Sequence, residues 1–157
     1  MISNKTYELI GKLSFEFNRL QFFSAYLFNS FGKSTKSGFK IMEKYSFRKF
    51  LKKIRSYIDC SSFNDDEKCS LKDLIDNADK CRDERNKFVH SLLMNSIEDN
   101  NEKAVLFFES IREQKTVLKD INHNEIEELI KETRNIGIQI IYATINVSSK
   151  LRSNKGV

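Results

Sequence analysis

The chain has no proline, no tryptophan and only five glycines. Without proline nothing removes a helical donor from within, and so little glycine leaves few points where a helix must stop. Collagen-like repeats and Pro/Gly-rich disorder are excluded by the same counts. Cysteine is scarce: Cys60, Cys69 and Cys81 leave one thiol over in any disulfide scheme, and their spacing matches no zinc pattern. The simplest reading is reduced thiols in a cytoplasmic protein, with Cys81 a small core residue. There are two histidines, His90 and His123, and no His/Asp/Glu group has ligand spacing along a helix face. No metal or other cofactor is therefore expected. No apolar run approaches the roughly 20 residues that span a bilayer. The start, Met1-Ile2-Ser3-Asn4-Lys5, lacks a signal-peptide layout, so no membrane partner is expected either. There is no internal repeat, and no zinc-finger or RNA-recognition-motif signature.

What is present is helical periodicity and phenylalanine, thirteen in 157 residues. The pattern predicts an all-α single domain over 1–157, a small bundle of four main helices. The first covers roughly Lys5 to Phe31, with Ile10, Leu13, Phe17, Leu20 and Leu27 as its main stripe. Phe15, Phe22 and Tyr26 add apolar surface beside that stripe. Gly32 to Gly38 reads as a basic, Ser-rich connector whose glycines are too few and misplaced for a phosphate-binding loop. The second helix spans roughly Ser46 to Asp59, with Phe47, Phe50, Leu51, Ile54 and Ile58 inward.

The third helix is expected from about Asp66 to Asn95, after the acidic turn Asn64-Asp65-Asp66-Glu67; Ser70-x-x-Asp73 is an alternative cap if it starts later. Glu98 to Glu102 reads as polar loop. Ala104–Phe108 and Thr116–Leu118 read as two short strands, a possible hairpin around Arg112–Lys115, with a helix through Glu102–Glu113 as the competing reading. Asn122 or Asn124 caps the last helix, which runs to about Leu151 and leaves a disordered tail over 151–157. Its stretch from Ile136 to Ile145 is apolar nearly all round, which implies double burial or half of an interface.

The formal net charge is +5. It is concentrated: Lys33 to Arg55 holds nine Lys or Arg and one Glu, so the rest of the chain nets −3. On the second helix Arg48, Lys49, Lys52, Lys53 and Arg55 point to solvent or to a partner. Lys49, Lys52 and Lys53 are the candidate RNA-backbone contacts; a plain solubilising face is the competing reading.

The densest chemistry lies in Arg85-Asn86-Lys87-Phe88-Val89-His90. Leu71, Leu74, Ile75, Ala78, Cys81, Phe88, Val89, Leu92 and Leu93 define one helical face, and Arg85 projects into its middle. An arginine there is costly unless it is paired or meets an anion. Asn86 and His90, four residues apart, share a flank. Imidazole titrates near neutrality and serves as acid or base; guanidinium clamps phosphate oxygens and keeps its charge. Two structural readings compete. Arg85 pairs with an acid from another helix, and His90 is a favourable charge at a helix end. Asp79, Arg82, Asp83 and Glu84 read as a solvated charged face, or Asp79 and Asp83 orient His90 or Arg82.

Arg85, the polar Asn86 directly after it and His90 resemble the R-x4-6-H motif of HEPN domains. These are small helical proteins, many of them metal-independent ribonucleases of toxin–antitoxin, abortive-infection and CRISPR systems. The resemblance implies an endoribonuclease that leaves a 2′,3′-cyclic phosphate. It further implies a composite site, with Arg85 and His90 from two chains meeting at the two-fold axis of a homodimer. Arg85, Asn86 and His90 are then the catalytic residues, and a cognate antitoxin or regulatory protein is an implied partner. The alternative within the same resemblance is a non-catalytic dimerisation or binding module. Some HEPN toxins carry a tyrosine two residues after the histidine; that position here is Leu92, so modification at that place is not implied.

Overall fold

The computed structural model describes residues 3–32, 36–89, 92–98, 101–110 and 115–153, the strands as backbone. Helix α1 (Asn4–Ser30) starts where the Ser3 side chain accepts from the Thr6 amide, and it closes on Gly32 at φ 61°, a left-handed turn suited to glycine. A short helix the periodicity does not reveal, α2 (Gly38–Met42), follows. Gly38 lies so close to α1 that an added Cβ would stand 2.6 Å from the Ala25 carbonyl oxygen, and the Gly38 amide donates to Asn29 Oδ1. Only glycine permits that approach. Helix α3 (Phe47–Asp59) turns Phe47, Phe50, Leu51, Ile54 and Ile58 inward, as its periodicity predicts.

Helix α4 (Asp65–Val89) opens on a reciprocal cap. The Glu67 amide donates to Asn64 Oδ1, and the Asn64 amide donates to Glu67 Oε2. Ser70 is thus an interior residue and not a cap. The expected end at Asn95 is overturned. α4 stops at Val89, and Leu92 and Leu93 belong to strand β1 (Leu92–Glu98). The apolar stripe continues numerically past Phe88, but the backbone from Leu92 onward pairs with β2 (Asn101–Ser110) and leaves the helical ladder. β2 pairs in turn with β3 (Lys115–Asp120), giving an antiparallel sheet in the order β1-β2-β3. Val105 opposes both Met94 and Asp120 in this register. The strand reading of 104–108 and 116–118 therefore holds, inside a larger meander. Glu98 and Asn101–Glu102, expected as loop, are strand residues. Arg112, Glu113 and Gln114 lie outside the described residues.

Helix α5 (His123–Ser153) is capped by Asn122, whose Oδ1 accepts from the Asn124 amide. It runs two residues past the expected Leu151, so 151–153 are helical; 154–157 lie outside the described residues.

The helices form a bundle around one core. α1 and α5 run parallel. Thr6 meets His123 and Lys5 pairs with Glu127 at the start of both, while Glu16 pairs with Arg134 and Phe23 packs on Gly137 further along both. α4 runs antiparallel to them, with Glu67 near its start paired to Lys150 near the end of α5. The core comprises Leu13, Phe17, Leu20, Leu27 and Phe28 of α1, the five α3 residues above, Leu74, Ile75, Ala78 and Cys81 of α4, and Ile126, Ile136, Ile140 and Val147 of α5. α3 is thus as much a core helix as the other three long ones. No helix among the described residues is long and apolar enough to cross a membrane.

Candidate functional site

Arg85 sits where the stripe places it, in the middle of the buried face of α4, two turns beyond Ala78. Its guanidinium carbon lies 4.7 Å from the centroid of the buried Phe17 ring of α1. Phe17 in turn meets Phe47, the first residue of α3, edge to face at 5.4 Å between centroids. The cation is stacked against a π-face, an attraction that strengthens as water is removed. Its Nε is buried and has no hydrogen-bond partner. Its Nη1 donates to Asn86 Oδ1 at 3.0 Å. Burial lowers the Arg85 pKa from its ordinary value. Among the described residues the polar neighbour of Arg85 is the amide of Asn86 and not an acid from another helix.

Arg85 and Asn86 are therefore brought together, with Asn86 orienting the guanidinium. His90 lies outside the described residues, one position past the end of α4. The acids upstream have another role. Arg82 donates to Asp79 at 2.7 Å and to Asp83 at 2.6 Å, and Arg48 of α3 donates to the same two carboxylates at 3.0 and 2.7 Å. This four-charge lattice staples α3 to α4. Arg55 pairs with Asp76 and Lys72 with Asp59 along the same seam.

The basic run is consequently divided. Arg48 and Arg55, expected at solvent or a partner, face α4 carboxylates. Lys49 and Lys52 are exposed on the far side of α3. Lys53 is half-buried over the Tyr45 ring, 4.7 Å from its centroid. The three lysines thus form a surface patch on a helix next to α4.

Two arrangements escape sequence reading. His123 opens α5 with Nε2 2.9 Å from the buried Thr6 hydroxyl, which is 3.0 Å from Ser3 Oγ. This chain of hydroxyls and imidazole ties the starts of α1 and α5 together. Glu16, only 5% exposed, accepts from Arg19 of its own helix at 3.1 Å and from Arg134 of α5 at 2.9 Å. Phe15-Glu16-Phe17 gives a weak signal for it, since Glu16 falls on the flank of an apolar stripe. Among the described residues no group of three or more His, Cys, Asp or Glu is placed to hold a metal ion.

No protein-family model, no curated protein and no solved structure matches this chain.

Proposed function

We propose that this chain is a metal-independent endoribonuclease of the HEPN type, acting in a toxin or antiviral-defence system. The observation that carries the reading is Arg85: a half-buried cation on the core face of a helix, with no carboxylate partner among the described residues, an unsatisfied Nε and an amide holding one Nη. A purely structural arginine is paired, as Arg48, Arg82 and Arg134 are here. A phosphate is the ligand that a planar fork of donors in a half-dry setting fits best.

In the reaction, His90 takes the proton of the 2′-hydroxyl, whose oxygen attacks the adjacent phosphorus. Arg85 stabilises the charge that grows on the equatorial oxygens. The bond to the 5′-oxygen breaks, that oxygen takes a proton from solvent water, and His90 returns the proton it accepted to solvent. The products are a 2′,3′-cyclic phosphate and a free 5′-hydroxyl. Lys49, Lys52 and Lys53 hold the flanking backbone without reading bases. A cognate antitoxin or regulator would act by covering the α4 end.

The test is product mass spectrometry on RNA treated in EDTA with wild type, Arg85→Ala and His90→Ala, each checked for folding by circular dichroism. Cyclic-phosphate ends from wild type and a loss of order 10²–10⁴ in rate for either variant are expected. No cleavage of any RNA by folded wild type would sink the reading. The second reading, a non-catalytic dimerisation module, is favoured by one observation. An exposed apolar face on α1 and α5 is available for protein contact whatever Arg85 does.

A further inference from the structure

Among the described residues eight large hydrophobic side chains stand exposed; seven lie on α1 and α5, and all of these but Tyr7 share a helical phase on their helix: Phe15, Phe22 and Tyr26 on α1, Ile138, Tyr142 and Ile145 on α5. At about 100° per residue each set spans a narrow arc. The two arcs adjoin. Arg19 of α1 and Arg134 of α5 lie on the same outward side, and both reach the one carboxylate of Glu16 between the helices. Phe22 and Tyr26 continue inward through ring contacts to Phe39 of α2, tilted from Phe22 and edge-on from Tyr26. This side faces away from Arg85. Phe17, the ring under Arg85, lies about 160° round α1 from the exposed arc.

We propose that this α1/α5 face is a two-fold contact between two copies of the chain, separate from the Arg85 site. The first argument is area. Taking roughly 200 Å² for a fully exposed side chain of this size, the six residues expose on the order of 600 Å² of mainly apolar surface. That reaches the upper limit of patches found on monomers, about 600 Å². Doubled across a two-fold it is about 1,200 Å², which clears the roughly 1,000 Å² that a specific interface needs. The second argument is composition. Within the arc the charged side chains are Arg19 and Arg134, already neutralised in part by Glu16, and no acid stands exposed among the six residues. Burying the face therefore strands no lone carboxylate.

The cations beside the N-terminal side of the patch are each paired, Lys12 with Glu8, Lys131 with Glu128, and Arg19 and Arg134 with Glu16, so no uncompensated charge opposes the contact. The contact leaves both Arg85 sites outside the interface, so a composite Arg/His site needs a second, distinct contact between copies.

Sedimentation equilibrium of the full chain tests this with Phe22→Glu, Ile138→Glu and Arg85→Ala. Both face positions are exposed, so the variants should keep the wild-type circular dichroism spectrum and melting profile. The expected result is that either face variant halves the mass seen for wild type, or weakens the association on the order of thirtyfold, while Arg85→Ala leaves it unchanged. A monomeric wild type at hundred-micromolar concentration overturns the proposal. So does a folded double variant that retains the wild-type mass. Neither outcome bears on RNA cleavage, which is read separately. If Phe22→Glu fails to fold, Tyr142→Lys, at the most exposed of the six positions, provides the same reading.

Discussion

At the scale of single residues, burial without a carboxylate partner among the described residues separates Arg85 from the other arginines that meet α4. Removing an unpaired buried charge relieves desolvation, while removing one member of a paired set strands the other. Arg85→Met should therefore cost little stability or gain up to about 1 kcal/mol, even as it abolishes any phosphate clamp. Glu16→Ala should cost about 1–3 kcal/mol, because it leaves Arg19 and Arg134 side by side with their shared acceptor gone. Urea unfolding of the two variants beside wild type checks the contrast; a larger loss for Arg85→Met than for Glu16→Ala would contradict it. Cys81 supplies a pH-dependent counterpart. Burial pushes its thiol up to about 11 from an ordinary 9.0. Its folded value lies above the unfolded one, so the stability it contributes is present below pH 9.0 and is lost as pH rises toward 11. At about pH 8, iodoacetamide should modify the exposed Cys60 and Cys69 in the folded chain and reach Cys81 only after denaturation. Early modification of Cys81 would contradict its burial. Arg85 was legible in the sequence as a charge on an apolar stripe. Its stacking on Phe17 was not, because that contact joins residues far apart in the chain and depends on how α1 and α4 pack.

At the scale of elements, the four long helices were legible because each carries an apolar stripe at its own period. The end of α4 was not. Leu92 and Leu93 continue the helical phase, and neither proline nor glycine follows to stop it. What ends the helix is pairing between Leu92–Glu98 and Asn101–Ser110, a partner choice that no window on α4 contains. The role of Arg48 was hidden for a similar reason: its charge is read from α3, but its carboxylates are on α4. This sorting of the basic run has a measurable consequence. Changing Lys49, Lys52 and Lys53 to Gln should cost no more than about 1 kcal/mol, since Lys49 and Lys52 are exposed and the loss is confined to the Lys53 contact with Tyr45. It should also reduce the slope of log RNA affinity against log salt by up to about 2, three phosphate contacts on a single strand. Arg48→Gln should instead lower stability by about 1–3 kcal/mol, because Asp79 and Asp83 lose a shared donor to α3. Filter binding across a salt series and thermal melts distinguish the two sets. An unchanged slope in the triple lysine variant would assign those residues to solubility alone.

At the scale of the whole molecule, two features read from the sequence as one turn out to be two. The sequence offers an arginine in need of an anion or partner and an apolar last helix that suits an interface, and a single two-fold axis could serve both. In the fold they lie on opposite sides of α1: Arg85 over Phe17, and the Phe22–Ile138–Tyr142 face beyond it. Whether catalysis is shared between chains is therefore a question separate from whether chains associate, and mixing variants answers it. In the proposed reaction Arg85→Ala lacks the clamp and His90→Ala lacks the acid/base. If each site takes its arginine from one chain and its histidine from another, half of randomly mixed pairs are hybrids, and each hybrid holds one intact site out of two. Activity should then return to about a quarter of the wild-type value when the two inactive proteins are mixed and allowed to exchange. If each chain cleaves with its own Arg85 and His90, every site in the mixture lacks one group and nothing returns. The composite reading expects the quarter. It also expects that quarter to survive Phe22→Glu in both partners, because the α1/α5 face does not build the site. The measurement is cyclic-phosphate production by the mixture against each variant alone. A mixture no more active than its components would confine catalysis to single chains.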